Sequence, residues 1–366
     1  MDSSNEIAIV MVPFPAESHL NQLLQLASRV RANALNPSNI AKIHFHDLPT
    51  PDFASPTPNP NALSKFPSQL FPSFDANSKL LREPIASFLR DVSSKSRRVI
   101  VVHDVLIFTC IPKGMPIPLE DELLQKLPSL ELDAPEEINK LVAFQLQYRD
   151  IRAGDLYNSN KVLEGNFLDL MAKFASTQNK KQWAIGPILP TKLDHVSNKR
   201  NICLDWLNNQ PLRSVLYVSF GSSTTFSDKE IMKLGLGLER SEQKFIWVLR
   251  DADRGDIFKG EDRRFELPEG FEEKVKGVRL VVREWAPQLE ILAHSSTGLI
   301  VREWEKREEL VSASTIENVV RKLMASEEGD EIRKRTEELG EAVRQSREKG
   351  GSSQLELHSF IAHITR

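Results

Sequence analysis

The sequence is poor in cysteine and has almost no net charge. Its 366 residues include two cysteines, Cys110 and Cys203, which is too few for a disulfide framework or a cysteine-based zinc site. The 48 basic residues nearly balance the 51 acidic ones, giving a net charge of -3. No global positive field is therefore available to hold nucleic acid or an anionic membrane. The low cysteine content favours a protein of a reducing compartment. The balanced charge favours a protein that binds neither nucleic acid nor an anionic membrane.

Long apolar runs are also missing. The segment before Ile7 carries acidic rather than basic residues, and Pro13 ends the first apolar run, which does not fit a signal peptide. The longest apolar stretch, residues 99–111, is interrupted by a His-Asp pair and is too short to cross a bilayer. We therefore expect a soluble cytoplasmic chain.

Strands alternate with helices in both halves of the sequence. Continuous apolar runs, typical of strands buried on both faces, cover 7–12 and 98–104 in the first half. Helical periodicity follows over 20–30 and 80–92, and 42–46 alternates weakly, as another strand would. In the second half the pattern predicts strands at 214–220, 245–249, 278–282 and 298–301.

Three Ser/Glu pairs have the spacing of helix capping boxes: Ser227/Glu230, Ser314/Glu317 and Ser353/Glu356. The alternation of strands and helices predicts two doubly wound α/β domains, and the length agrees with about 150 residues per domain. Glycine and proline at 186–190, followed by a polar run, indicate a linker. We divide the chain into an N-terminal domain of 1–185, a linker of 186–201, a C-terminal domain of 202–345 and a C-terminal helix of 346–366.

Two candidate catalytic residues follow strands of the first half. His19 stands near the start of the helix after the first strand, and Asp104 ends the strand that begins near 98. Ligands bind at the carboxyl ends of strands in such sheets, and a carboxylate can stabilise the imidazolium that forms during proton transfer. The alternatives are a half-exposed loop histidine and an aspartate that merely caps the next segment.

Two turns of the second half are candidates for binding a nucleotide. Gly221 and Ser222 lie between a strand and a capped helix, where backbone amides can approach a phosphate. Trp285 and Gln288 lie in a strand-to-helix turn, where they can stack on a base and bond its edge. The alternative for the second pair is a core tryptophan and a surface glutamine.

Eight segments occur in this order along the chain: PFPAESHLNQLLQLASRV, VIVVHD, WAIGPILP, CLDWLNNQP, SVLYVSFGS, KFIWVLR, LPEGFEEK and REWAPQLEILAHSSTG. Taken together and in this order, they resemble the motifs of the plant UDP-dependent glycosyltransferases. HFHDLPTPDFASPTPNPNA and the tail SSQLELHSFIAHITR resemble the zeatin O-glucosyltransferase branch in particular. The resemblance covers nearly the whole chain.

This resemblance implies a GT-B fold, in which two Rossmann-like domains face each other across a cleft. It implies that His19 is the general base for an acceptor hydroxyl and that Asp104 is its partner. Gly221 and Ser222 would contact the donor's diphosphate, while Trp285, Ala286 and Gln288 would hold uracil; the family gives His294 a structural role. The implied partners are a UDP-sugar co-substrate and a small acceptor such as zeatin. No metal or other cofactor is implied, and we expect a monomer.

The sequence departs from the family's pattern at three internal places. After Gly298 it lacks the rest of the signature box: a second glycine, a HCGWNS-type segment, a glutamate and an Asp-Gln pair. In the family these hold diphosphate, ribose and sugar hydroxyls. After Val30 a strand is missing, and after Ile107 a helix and a strand are missing. The N-terminal sheet and the donor box are thus expected to be incomplete.

Two functions compete on this basis. The first is transfer of glucose or xylose from a UDP-sugar to a hydroxyl of a small acceptor, which the resemblance implies is a cytokinin such as zeatin, with inversion. The second is a catalytically impaired member of the same family that lacks most of the donor-binding box. His19, Asp104 and Ser222 favour the first function, and the missing donor segment favours the second.

Overall fold

The structure of the protein is a computed structural model. This structure describes residues 7–13, 17–33, 43–48, 54, 72, 81–104, 136, 140, 153–177, 179–189, 201–220, 226–250, 265, 267, 270–271, 277–298 and 311–366. In chain order the helices and strands are β1 Ile7–Val12, α1 Glu17–Asn33, α2 Arg82–Lys95, β2 Arg98–His103, β3 Gly154–Tyr157, α3 Lys161–Thr177, β4 Lys181–Ala184, α4 Ile202–Leu207, β5 Val215–Val218, α5 Asp228–Arg240, β6 Lys244–Val248, β7 Leu280–Val282, α6 Gln288–Ala293, β8 Thr297–Gly298, α7 Ala313–Ala325, α8 Glu327–Arg347 and α9 Ser352–Ile364.

Two parallel strand pairs form the sheets of the N-terminal half within the described residues. β1 pairs with β2 from Ile7 opposite Arg98 to Val12 opposite His103. β3 pairs with β4 from Gly154 opposite Lys181. Parallel pairing places the carboxyl ends of β1 and β2 at the same edge, and the loops that follow both strands begin there.

The C-terminal half contains one four-stranded parallel sheet of order β7-β6-β5-β8. Its strand residues alternate between two cores. Phe245 and Trp247 of β6 face one core with α5 and α7, whereas Ile246 faces the other core with α4 and α6. Helices therefore cover both faces of this sheet, as in a doubly wound domain.

The last helix, α9, packs on the N-terminal sheets. Its apolar residues share one core with α1 and with residues of β1, β2 and β4. Trp183 of β4 is central to this contact, because its ring meets Phe360 edge to face with centroids 5.3 Å apart and its Nε1 donates to Ser359 Oγ at 3.3 Å. Burial of these aromatic and aliphatic groups holds α9 in place.

Several sequence predictions are confirmed and others are wrong. The Ser227/Glu230 capping box is present at the start of α5. The box predicted at Ser314 is wrong, because Ser312 caps α7 two residues earlier. The box predicted at Ser353 is also wrong, since its hydroxyl donates to Gly186 O at 2.7 Å instead.

Other differences concern strands. Residues 43–48 have no regular structure, so the weak alternation over 42–46 does not produce the expected strand there. β8 contains two residues, and the rest of the strand predicted to reach residue 301 lies outside the described residues. Within the described part of the chain, no helix is both long and apolar enough to span a membrane.

Candidate active site

His19 and Asp104 meet at the carboxyl edge of the β1–β2 pair. Asp104 follows β2 directly, and its backbone N–H donates to Val12 O at 3.0 Å, which continues the ladder by one bond. His19 lies in the first turn of α1, which follows β1. The edge of one short parallel pair therefore positions both residues, although 85 residues separate them in sequence.

The two side chains form a direct hydrogen bond. His19 Nδ1 lies 2.5 Å from Asp104 Oδ2, and the side chains are 35% and 17% exposed. With the carboxylate accepting the Nδ1 proton, Nε2 carries the lone pair, because a neutral imidazole has one donor and one acceptor nitrogen. The arrangement can accept a proton at Nε2, and the carboxylate stabilises the resulting imidazolium.

This contact bears on one of the two alternatives left open by the sequence. His19 lies in α1 and is bonded to a carboxylate, so it is not a free loop histidine. The segment after Asp104 lies outside the described residues, so the alternative of a capping aspartate is not tested.

Trp285 lies in the turn between β7 and α6, at the carboxyl edge of the four-stranded sheet. Its side chain is 62% exposed, which rules out the core-tryptophan reading. A large exposed aromatic ring at this edge offers a face on which a base can stack.

The neighbours of Trp285 differ in burial. Ala286 is buried in the core under α4 and α6, and Gln288 is the exposed first residue of α6. Anchoring through Ala286 fixes the turn while leaving Trp285 and Gln288 accessible. Gly221 and Ser222, predicted to contact the diphosphate, lie outside the described residues.

His294 has the structural role expected of it. Its Nδ1 accepts from Ser296 N at 3.2 Å, and its Nε2 lies 3.2 Å from Asn208 Oδ1. The ring thereby joins the end of α6 to the end of α4. Among the described residues, no group of three or more His, Cys, Asp and Glu side chains is arranged to hold a metal ion.

Asn160, which was not predicted from the sequence, is fully buried beside the candidate linker. Its Oδ1 accepts from Val162 N and Leu163 N at 3.0 and 3.1 Å, and its Nδ2 donates to Gly186 O at 3.3 Å. Asparagine directly before a helix is a common N-cap, and that position in the sequence was the available signal.

Comparison with protein families identifies the N-terminal half. A family model described as "Glycosyltransferase, N-terminal domain" matches residues 5–34, 27–118 and 108–190. Consecutive matched ranges overlap at 27–34 and 108–118. These overlaps lie at the two places in this half where the sequence lacks expected elements.

Relatives cover the whole chain. A zeatin O-xylosyltransferase of Phaseolus vulgaris is 37% identical over 461 aligned positions that cover 100% of both chains. A zeatin O-glucosyltransferase of Phaseolus lunatus is 36% identical, covering 99% of this chain and 97% of that protein. Since this chain has 366 residues, roughly a fifth of the 461 positions face internal gaps in it.

Solved structures share the architecture. A transferase of Siraitia grosvenorii in complex with UDP matches with a TM-score of 0.70 at 22% identity, over 99% of this chain and 100% of that one. Phytolacca americana UGT2, complexed with UDP-2fluoro-glucose and pterostilbene, matches with a TM-score of 0.71 at 20% identity and the same coverage. The chain thus has the GT-B fold, and its full-length relatives place it plainly in the UDP-dependent glycosyltransferases of plants, in the branch of the zeatin O-glycosyltransferases.

Proposed function

We propose that the catalytic site of this chain transfers glucose or xylose from a UDP-sugar to a hydroxyl of a zeatin-type cytokinin, with inversion. The observation that carries the proposal is the bond between His19 Nδ1 and Asp104 Oδ2. His19 takes the proton of the acceptor hydroxyl at Nε2, and the oxygen attacks the anomeric carbon of the sugar as UDP leaves. Asp104 stabilises the imidazolium formed in that step.

The donor side of the proposal rests on the turn at Trp285. Uracil stacks on its exposed ring, Gln288 bonds the base edge, and Ala286 holds the turn against the core. Gly221 and Ser222 contact the diphosphate. We further propose that the protein is a cytoplasmic monomer and that it needs no metal. Its domain boundaries are proposed to be those predicted from the sequence.

The acceptor chemistry can be tested in a chain whose internal gaps are filled with the corresponding segments of the Phaseolus lunatus relative. His19→Ala should lower turnover about 100-fold or more, the usual contribution of a general base. Donor affinity should change little, because His19 lies on the acceptor side. His103→Ala is a matched control, since His103 is the exposed neighbour of Asp104 and forms no bond with the Asp104 carboxylate. Unchanged turnover in His19→Ala would refute the role of the base.

A second candidate function is favoured by a separate observation. In the chain as it stands, residues after Gly298 do not continue the signature box, and gaps account for roughly a fifth of the alignment with the relative from Phaseolus vulgaris. The groups that hold the diphosphate, ribose and sugar hydroxyls in the family are absent. We infer a member of the family that keeps the acceptor-activating pair but binds donor sugar poorly.

One assay distinguishes the two candidate functions. Trans-zeatin and UDP-glucose are incubated with the natural chain and with the gap-filled chain, and glucoside is measured by mass spectrometry. Product from both chains supports the first candidate. Product from the gap-filled chain alone supports the second.

A further inference from the structure

Two arginines approach the segment that follows β4. Arg29, near the C-terminal end of α1, donates through its guanidinium to the carbonyl oxygens of Pro187 at 3.0 Å, Leu189 at 3.3 Å and Ile185 at 3.5 Å. This contact joins the helix that carries His19 to residues 185–189.

Arg347 is the last residue of α8, and the residue before it belongs to a hydrogen-bond network at the same segment. The preceding residue, Ser346, is buried within 3.4 Å of Asn160 Nδ2 and 3.2 Å of Ser353 Oγ. Asn160 and Ser353 both donate to Gly186 O. Arg29 thus binds this short stretch of backbone directly, and the network beside Arg347 binds it at Gly186.

Among the described residues, no carboxylate neutralises either guanidinium. The acceptors of Arg29 are backbone carbonyls, and Arg347 Nε is buried without a hydrogen-bond partner. Within the part of the chain that the structure describes, no ion pair involves either residue. Arg344, one turn earlier on α8, shows the contrast, because its Nε donates to Glu341 at 2.9 Å.

The environment makes this a site of uncompensated positive charge. Burial, and then the charge of Arg347, lower the pKa of Arg29 to about 10. Burial also lowers the pKa of Arg347. Both groups remain charged at neutral pH, so two like charges lie in a partly desolvated place, an arrangement that an anion would stabilise.

We propose that Arg29 and Arg347 form a binding site for a small oxyanion, such as a phosphate group, beside residues 185–189. A guanidinium has five N–H donors, of which Arg29 uses only part, and Arg347 offers a buried Nε–H. Forked donors of this kind match the oxygens of phosphate, sulfate or carboxylate. A bound anion would bridge α1 to the end of α8 at the point where the chain passes from β4 towards α4.

The test is thermal unfolding of the natural chain in inorganic phosphate, against sodium chloride at equal ionic strength. The wild type should show a saturable rise in melting temperature with phosphate, because a ligand of the native state stabilises it. The same measurement in sulfate and in acetate distinguishes a tetrahedral anion from a carboxylate. If acetate raises the melting temperature as much as phosphate does, the ligand of this site is a carboxylate.

Arg347→Gln should abolish the phosphate response while leaving the melting temperature in chloride as high as that of the wild type or higher, because it removes a desolvated charge. Arg344→Gln, on the exposed face of the same helix, should respond as the wild type does. Arg347→Lys should respond with a midpoint about tenfold higher, since it keeps the charge but loses the fork. The proposal is overturned if the wild type does not distinguish phosphate from chloride, if Arg347→Gln responds fully, or if Arg347→Gln melts well below the wild type in chloride.

Discussion

The bond between Asp104 and His19 allows a quantitative prediction for Asp104→Asn. The asparagine oxygen can still accept the Nδ1 proton, so the geometry survives while the negative charge is lost. A hydrogen bond to a charged group contributes about 1.5–3 kcal/mol, which corresponds to roughly 10- to 150-fold in rate. Because His19 is 35% exposed, solvent screens the pair, and we expect the lower part of this range, about 10- to 50-fold.

The assay is steady-state glucosylation of trans-zeatin by the gap-filled chain, with kcat and KM measured separately. The loss should fall on kcat, because Asp104 stabilises a charge that develops during the reaction and is absent from the ground state. Asp91→Asn is the matched control, since Asp91 is an exposed aspartate of α2 that pairs with Lys95. Wild-type kcat in Asp104→Asn, or a loss confined to KM, would contradict the reasoning.

Three further predictions concern the natural chain. Trp285→Ala should weaken UDP binding roughly 5- to 150-fold in calorimetry, because stacking contributes about 1–3 kcal/mol per base; unchanged affinity would remove Trp285 from the site. Cys203 is 1% exposed and burial raises its pKa to about 11, so at pH 8 about one thiol in a thousand is ionised and peptide mapping should find it alkylated only after unfolding. Asn160→Ala should lower the free energy of unfolding by about 2–4 kcal/mol in urea, because it removes an N-cap and two buried donor contacts; a loss below about 0.5 kcal/mol would show that the network is dispensable.

The sequence predicts the strands that are buried on both faces. β1, β2, β5 and β6 are continuous apolar runs, and their order with the helices gives the doubly wound pattern. β3 and β4 were missed because they are four residues long and contain Gly, Asp, Lys and Gln. They are strands because they pair with each other and because Trp183 packs against α9, which no local pattern reveals.

The candidate site, like the fold, could be predicted from the sequence only in part. The rule that ligands bind at the carboxyl ends of parallel strands places His19 and Asp104 each at such an edge, and the family resemblance implies that they are partners. The 2.5 Å contact shows that they meet. The exposure of Trp285 could not be deduced, since a tryptophan after a strand is as often buried. Ser353 shows why local capping rules fail, because its hydroxyl donates a hydrogen bond to the carbonyl oxygen of Gly186, which is far away in sequence. The effect of the Arg347 charge on Arg29 likewise depends on tertiary placement.

The most direct test of the account is calorimetric titration of the natural chain with UDP and with UDP-glucose, with glucoside product measured in parallel. The missing segment removes charge-assisted hydrogen bonds of about 1.5–3 kcal/mol each, so losing two weakens donor binding by about two to four orders of magnitude. The second candidate function, an impaired donor site, predicts that UDP-glucose binds no more tightly than UDP and that no glucosylated zeatin forms. Micromolar affinity for UDP-glucose together with measurable product would contradict this candidate and support the first, because it would show that the donor site functions without that segment.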